Sequence, residues 1–300
     1  MDVVGAPTWF RRHPGHPRVR LPRRRTRAPH EPEVGKQIDA SHSIVTGKRM
    51  TATAEATSVP VRRITAVLAH PDDESRIMGG TLALAARRGW RVTLYCATAG
   101  EAGDPSMAAP AVAQLREREL GAACRALGIE QFRLGRLPDG GLADADVDAV
   151  VEDVVRHLRA VRPEVVVTFG PDGRSGHPDH IAIGRFTEIA FRVAGDPERH
   201  PEHHRLGLAP WQPKRLYHTA VARSVAETLG WPHPSLPDED LVRVDVGETF
   251  DVKCRAVMEA HASQWRLSPW NVTAGWEPRA VEHFRLACFE PGQGRADDLL

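Results

Sequence analysis

The strongest constraint on the fold is a regular alternation of short apolar runs and longer amphipathic segments between residues 62 and 290. Apolar runs such as 64–69 and 164–169 have the near-continuous apolar character of strands that are buried on both faces. The segment 111–127 places apolar side chains at helical spacing and stops at a glycine, which is typical of a helix. The alternation predicts a Rossmann-like, doubly wound α/β fold with helices on both faces of a mostly parallel sheet.

The same pattern assigns the individual elements and the limits of the domain. The predicted strands are 64–69, 92–96, 131–135, 164–169, 216–220, 241–246 and 281–289. The predicted helices are 76–88, 111–127, 144–160, 179–194 and 248–265. We expect residues 62–290 to form a single domain, preceded by a disordered basic tail and linker over 1–61 and followed by a loose polar tail over 291–300.

Charge is unevenly distributed along the chain. The 300 residues contain 40 lysines and arginines and 39 aspartates and glutamates, for a formal net charge of +1. Residues 1–49 contain eleven of the basic and four of the acidic residues, which leaves 29 and 35 elsewhere and a net charge of −6 there. The basic segment has three competing interpretations: a contact with nucleic acid or membrane, a targeting peptide, or idle sequence upstream of a later start at Met50. The mildly acidic domain argues against an anionic polymer as substrate, and we expect no nucleic-acid partner.

The cysteines indicate the compartment. Cys96, Cys124, Cys254 and Cys288 are far apart and form no CxxC pair, so neither a disulfide framework nor a cysteine-type zinc site is expected. No apolar run approaches the roughly 18 residues that a membrane-spanning helix needs. We therefore expect a cytoplasmic protein without membrane insertion.

Two polar motifs follow the first and fourth predicted strands. HPDDE covers residues 70–74, and GHPDH covers residues 176–180. Strands one and four are neighbours in the common order of doubly wound sheets, and ligands bind at the carboxyl edge of such sheets. Histidine and carboxylate side chains bind zinc, and three protein ligands plus water form a catalytic site. Either motif alone is weak evidence, because helix caps and turns use the same residues, but the two together predict a metal centre.

Neighbouring side chains in these motifs can take different roles in catalysis. Asp72 and Asp73 are adjacent and cannot both point the same way, so one can bind the metal while the other faces the bound water as a general base. His177 and His180 are distinct in the same sense. One can bind the metal, and the other can protonate a leaving group or stabilise an oxyanion. This division favours metal-assisted hydrolysis.

The paired motifs resemble those of the PIG-L (LmbE-like) family of zinc-dependent N-acetylglucosamine deacetylases, over about residues 62–289. Supporting features are Arg116, Glu119 and the segments 99–101, 138–141 and 261–264. The resemblance implies that His70, Asp73 and His180 are the zinc ligands. Zinc is therefore the expected cofactor, and the same ligand types also admit Fe2+, Co2+ or Mn2+.

The resemblance also implies roles for residues around the metal. Asp72 is expected to be the general base, and His177 the acid or oxyanion partner, oriented by Asp179. Arg116 and Asp139 are expected to contact the substrate, which would be a small amino sugar or its conjugate.

Other positions are more ambiguous. Glu101 lies in a loop at the same sheet edge, where it either contacts sugar hydroxyls or belongs to a simple turn. Ser175 stands where members of this family often carry tyrosine, so a phenol that could stabilise an oxyanion is absent there. His261 either approaches the site or packs in the core. The histidines at 200, 203 and 204 lie in a proline-rich stretch, which favours a loop over a second metal site.

These observations favour a metal-dependent hydrolase that removes an N-acyl group, expected to be acetyl, from an amino sugar. A related alternative is an amidase that acts on a glucosaminyl-thiol conjugate or a glycopeptide, which the motifs do not distinguish. Alternatives of other classes are an iron oxygenase with a 2-His-1-carboxylate site and a nucleic-acid binder that acts through the basic tail.

Overall fold

One seven-stranded sheet organises the part of the protein that the computed structural model describes, residues 61–267, 280–289 and 298–300. The strands are β1 (Arg63–Leu68), β2 (Arg91–Thr98), β3 (Gln131–Leu137), β4 (Val165–Phe169), β5 (Arg215–Ala220), β6 (Val242–Asp245) and β7 (Val281–Phe289). They lie in the order β3-β2-β1-β4-β5-β7-β6. Strands β1 to β5 are parallel, whereas β7 is antiparallel to both β5 and β6. The predicted Rossmann-like α/β fold with a mostly parallel sheet is confirmed, and the described residues belong to one compact unit.

Helices cover the sheet in two groups. The α-helices of the described residues are α1 (Asp73–Arg87), α2 (Ala109–Leu127), α3 (Val147–Val161), α4 (Gly173–Gly176), α5 (Pro178–Val193), α6 (Arg223–Leu229), α7 (Phe250–Arg255) and α8 (Ala262–Leu267). Helix α1 packs against α2 and α7, while α3 packs against α5, and α1, α3 and α5 all contact β1. Right-handed crossovers place the first group on one face and the second group on the other. Within the described ranges, no helix is long and apolar enough to cross a membrane.

The central strand β1 shows why the apolar runs of the sequence are continuous. It lies between β2 and β4, and Ile64, Ala66, Val67 and Leu68 are fully buried because helices cover both faces. The polar residue of this run, Thr65, is also buried, and its hydroxyl lies 2.8 Å from His157 Nε2 on α3. A buried polar group is therefore paired rather than solvated.

The adjacency of β1 and β4 positions the functional motifs. The pair is parallel, with Ala66 opposite Val167, so both strands end at the same edge of the sheet. From β1 the chain moves outward to β2, and from β4 it moves outward in the other direction to β5. This reversal opens a crevice between the two carboxyl ends, and residues 70–74 and 176–180 lie in the loops and first helical turns that follow them.

The predicted continuous helix over 248–265 is wrong. The structure has a 3₁₀ turn at Gly247–Thr249, then α7, a π-helical turn at Ala256–Ala260, a break at His261 and finally α8. The His261 N–H donates to Ala256 O, five residues back, so the π turn inserts one residue into the helical repeat. Periodicity alone misses such an insertion, because the apolar spacing changes by only one residue.

The ends of the chain differ from expectation in one place. Leu299 is fully buried in the core, Leu300 is 9 % exposed, and the Tyr217 hydroxyl donates to the carbonyl of Asp298. The expectation of a loose polar tail is therefore wrong for the last three residues, because the two leucines are buried. The remainder of that tail, and the basic tail up to residue 60, lie outside the described residues.

Candidate metal centre and active site

Three side chains from the two motifs converge at the crevice between β1 and β4. His70 Nδ1 lies 3.3 Å from His180 Nε2 and 3.6 Å from Asp73 Oδ2, and His180 Nε2 lies 3.4 Å from Asp73 Oδ1. Ligand atoms at about 2.1 Å from a tetrahedral zinc ion lie about 3.4 Å from one another. The spacing and the donor set, two imidazole nitrogens and one carboxylate, therefore fit a metal ion at the predicted ligands.

Partners behind the ring nitrogens fix which atoms face the metal position. His70 Nε2 lies 3.1 Å from Asp139 Oδ1 and 3.2 Å from Asp179 Oδ2, so its Nδ1 faces the cluster. His180 Nδ1 lies 3.1 Å from the Gly173 carbonyl, so its Nε2 faces the cluster. Metal-binding histidines characteristically have such partners, which fix the tautomer and the ring orientation.

The electrostatics of the cluster also favour a cation. Burial alone would lower the pKa of His70, but the carboxylates of Asp139, Asp179 and Asp73 together raise it well above its usual value. Burial alone would raise the pKa of Asp73, but the neighbouring rings of His180 and His70 hold it well below its usual value. The carboxylates therefore stabilise positive charge at this point, which is the property that a divalent cation requires.

Asp72 lies beside the cluster and points differently from Asp73. Its backbone has φ 110° and ψ −22°, a left-handed conformation that costs a residue with a Cβ about 1–2 kcal/mol. Its carboxylate lies 3.2 Å from Arg76 Nε and 3.5 Å from Arg116 Nη2. Burial raises the pKa of the Asp72 carboxyl, an effect opposed by Arg116 and increased by Asp73. Asp72 therefore has the position and the environment of a general base.

His177 forms the outer wall of the site. It caps α5, where its Nδ1 accepts the backbone N–H of Asp179 at 3.2 Å, so its proton is held on Nε2. Its ring lies 4.7 Å from the His180 ring and 4.9 Å from the His70 ring, measured between centroids. Burial, with the nearby His180 and His70 rings, lowers its pKa. A neutral His177 with a proton on Nε2 can donate a hydrogen bond into the cavity.

Asp179 contacts two histidines of the site through different groups. The resemblance implies that Asp179 orients His177, and its backbone N–H donates to His177 Nδ1 at 3.2 Å. Its carboxylate lies 3.2 Å from His70 Nε2 and accepts the N–H groups of Gly140 and Leu142 at 2.7 and 3.1 Å. Asp179 therefore also supports the His70 ring, a contact that the motifs did not indicate.

The three expected substrate contacts have different surroundings. Arg116 is buried, donates to the carbonyls of Gly100 and Pro71, and lines the cavity. Gly100 has φ +68°, and a Cβ there would lie 2.2 Å from the Arg116 guanidinium, so only glycine permits this approach. Asp139 lines the cavity but is engaged with His70. Glu101 is absent from the residues that line the described cavity, and it accepts the N–H of Asp139 at 2.9 Å, so it braces that loop.

A cavity of about 480 Å³ contains the cluster and is also lined by residues that the motifs did not indicate. These additional lining residues include Arg76, Ile77, Arg174, Trp231 and His233. Within the described part of the chain, the Arg174 guanidinium makes no hydrogen bond or ion pair, and burial lowers its pKa. Trp231 and His233 belong to a proline-rich loop without sequence periodicity, so no pattern pointed to them. Ser175 also lines the cavity, at the position where members of the resembled family often carry tyrosine.

Within the histidine cluster at residues 200–204, His203 contacts charged side chains. His203 Nε2 lies 2.7 Å from Glu152 Oε1, and its Nδ1 lies 3.2 Å from the Arg159 guanidinium. Arg156 also pairs with Glu152. Although Glu152, Glu202 and His203 could converge on an ion, two arginines already supply the positive charge there. The stretch forms a 3₁₀ helix at Pro201–Leu206 rather than the expected loop.

Comparisons with known proteins agree with this geometry. The family model described as PIG-L, GlcNAc-PI de-N-acetylase, matches residues 65–191. A 1D-myo-inositol 2-acetamido-2-deoxy-alpha-D-glucopyranoside deacetylase from Streptomyces avermitilis is 34 % identical over 291 aligned positions, which cover 80 % of this chain and 97 % of the relative. A deacetylase of the same name from Rhodococcus opacus is 37 % identical, covering 69 % of this chain and 83 % of the relative.

A solved structure supports the same fold. The N,N'-diacetylchitobiose deacetylase from Pyrococcus horikoshii superposes with a TM-score of 0.62 at 22 % sequence identity, covering 76 % of this chain and 84 % of that one. At this identity the likeness concerns the fold. Together with the sequence identity to the curated relatives over most of their length, it leads to one conclusion: the chain belongs to the PIG-L family of LmbE-like deacetylases.

Proposed function

We propose that the protein is a zinc-dependent hydrolase that removes the N-acetyl group from an N-acetylglucosamine conjugate. The observation that carries the proposal is the triangle of His70, Asp73 and His180 with the Asp72 carboxylate beside it in one cavity. The activity named for the relative from Streptomyces avermitilis, on an inositol glycoside of 2-acetamido-2-deoxyglucose, supports this substrate class.

The proposed reaction uses this chain's own groups for proton transfer and charge stabilisation. Zinc held by the three ligands would supply a Lewis acid that activates water and polarises the acetamide carbonyl. Asp72 accepts the proton of the attacking water, and that proton passes to the amine nitrogen as the C–N bond breaks. His177 donates from Nε2 to the carbonyl oxygen, where negative charge develops. Acetate and the free amino sugar are the products.

The surrounding residues support these roles. Arg116 and Arg76 contact different oxygens of the Asp72 carboxylate, and both oppose the rise in its pKa that burial causes. Ser175 offers a small hydroxyl in place of a phenol, so we assign the oxyanion contact to His177 alone. The buried free cysteines Cys96 and Cys124 are compatible with a reducing compartment, and we propose a cytoplasmic location.

The experiment that tests the function is a mass-spectrometric screen of N-acetylated amino sugars with metal-loaded protein. The panel contains N-acetylglucosamine, its inositol glycoside, diacetylchitobiose, a thiol conjugate and a glycopeptide. We expect loss of acetyl from at least one glycoside, no loss with Asp72→Asn, and wild-type rates with Asp251→Asn, an exposed carboxylate on α7. No turnover of any member would contradict the proposal, and release of a different acyl group would redirect it to an amidase.

Metal identity requires its own measurement. Two imidazoles and one carboxylate also suit Fe2+, Co2+ or Mn2+, so elemental analysis of protein purified without added metal decides among them. We expect about one zinc per chain. Iron with oxygen uptake would instead support the oxygenase alternative, which gives no role to Asp72 and His177 as proton-transfer groups.

A further inference from the structure

The strained backbone of Asp72 needs groups that hold it in place. At φ 110° this residue is in a region that residues with a Cβ adopt only when their surroundings enforce it. The Asp72 N–H donates to Glu74 Oε2 at 3.0 Å, and the Asp72 carbonyl accepts the N–H groups of Ser75 and Arg76 at 3.1 and 2.9 Å. The acceptor of the first bond is a side chain, so this bond depends on how Glu74 itself is held.

The Glu74 carboxylate is fully buried and is fixed by two donors on its other oxygen. Ser75 Oγ donates to Glu74 Oε1 at 2.5 Å, and His261 Nε2 lies 2.7 Å from the same oxygen. A buried carboxylate without such partners would be strongly disfavoured. Since Ser75 is an immediate neighbour in sequence, His261 is the partner that anchors Glu74 to a distant part of the chain.

The interruption of the C-terminal helix brings His261 to this point. The π turn at Ala256–Ala260 ends at His261, which has φ −92° and ψ 45° and is 1 % exposed. Single π turns inside helices frequently occur at functional sites, because they reorient a side chain. Helix α8 then begins at Ala262, and its second residue, Ser263, donates its N–H and hydroxyl to the Glu119 carboxylate at 2.9 and 2.6 Å.

Helix α2 closes the network. Glu119 and Arg116 are three residues apart on α2, and they therefore lie on the same face. Glu119 holds the start of α8, and Arg116 contacts the Asp72 carboxylate and the Pro71 carbonyl. Asp72 is therefore constrained twice. Helix α2 holds the Asp72 side chain through Arg116, and the start of α8 holds the Asp72 backbone through His261 and Glu74.

We propose that Glu74 and His261 are positioning residues, which hold Asp72 in the left-handed conformation that presents its carboxylate to the metal cavity. This inference rests on the proposed function, because it is Asp72 as the base that gives the conformation its value. Without the His261 contact, Glu74 loses its anchor, and residue 72 relaxes toward an ordinary backbone conformation. The metal ligands have separate supports from Asp139, Asp179 and Gly173, so metal binding is retained.

The test compares His261→Ala with His261→Gln, whose amide restores a donor to Glu74, and with a structural control. Thr249→Val is the control, because Thr249 is fully buried and donates a side-chain hydrogen bond to Gly80 on α1. The measurements on metal-loaded, full-length protein are kcat, KM, bound metal, and amide hydrogen exchange of peptides that contain residue 72. The exchange measurement needs no substrate.

For His261→Ala we expect kcat to fall about 10–100-fold, the range typical of residues that orient functional groups, with KM within about 3-fold and metal content unchanged. The Asp72 amide should exchange faster. His261→Gln should recover most of kcat and of the exchange protection, and Thr249→Val should match wild type in both despite a lower melting temperature.

Several outcomes would overturn the inference. Wild-type kcat and exchange in His261→Ala, metal loss in that variant, or equal effects of Thr249→Val would each show that the network has only a general structural role. If His261→Ala does not fold, Ser75→Ala replaces it, with a smaller shift in the same direction expected. If the wild-type protein shows no deacetylation, the proposed function fails, while the exchange measurement still decides whether His261 holds Asp72.

Discussion

The two loops that form the site hold their functional side chains by different means. After β1, the loop contains one left-handed residue, Asp72, which side chains from distant helices support. After β4, the second loop includes the distorted one-turn helix α4, in which Gly173, Arg174 and Gly176 are left-handed, and local backbone bonds support them, such as Gly176 N–H to Asp172 O at 2.9 Å. The first loop therefore depends on tertiary contacts, whereas the second depends on its own sequence.

The largest expected effect comes from removing a proposed metal ligand, which both loops help to position. His70→Ala takes a proposed metal ligand from the first loop and His180→Ala takes one from α5, just after the second, so both should lose bound metal and at least about 10³-fold in kcat/KM. Elemental analysis and steady-state kinetics check this. His204→Ala, an exposed histidine, is the matched control. Retention of metal by either variant would show that the ligand set is assigned incorrectly.

The next largest effect distinguishes the catalytic role of the first loop from that of the second. Asp72→Asn should lower kcat about 10³-fold, because the base is lost, and His177→Gln about 10²-fold, because a hydrogen-bond donor is weakened rather than abolished. Metal content should stay at the wild-type value in both variants. Equal kcat for the two variants would contradict the division of roles between base and oxyanion partner.

A histidine outside both loops, His157, should make the stability of the folded protein depend on pH. His157 is buried against Thr65 without a carboxylate, and burial, with a smaller effect of Arg133, lowers its pKa from 6.5 to about 3. Between these values the unfolded chain binds a proton that the folded protein does not, so stability falls as pH falls, by up to about 1.4 kcal/mol per pH unit. Denaturant unfolding from pH 7 to pH 4 should show a shallower loss for His157→Gln than for wild type. An unchanged slope would show that His157 is protonated in the folded state.

The smallest effect concerns substrate binding by the second loop. Because the Arg174 guanidinium lines the cavity and makes no hydrogen bond or ion pair among the described residues, it is available to substrate oxygens. Arg174→Ala should raise KM about 3–10-fold with kcat within about 2-fold, and Arg174→Lys should lie between. A fall in kcat without a change in KM would place Arg174 in the chemical step instead.

Much of the fold followed from local pattern. Runs such as 64–69 and 164–169 are almost entirely apolar because both faces of a parallel sheet are covered, so their pattern alone located β1 and β4 to within one residue. The meeting of the two motifs followed from the same reasoning, since parallel strands end at one edge, whereas the choice of His70, Asp73 and His180 as ligands came from the family resemblance and stays a prediction. The role of the basic tail over residues 1–49 stays a prediction, which a chain that begins at Met50 would test through folding and metal binding.

The sequence by itself determined the α/β architecture, the two motifs and the ligand types, because periodicity and residue chemistry are local properties. Only the tertiary structure decided that the Asp179 carboxylate contacts His70, that Glu101 braces a loop, and that His261 reaches Glu74. These contacts join residues that are far apart in the chain, or depend on one inserted residue in a helix. Their partners are therefore set by packing, which no local pattern records.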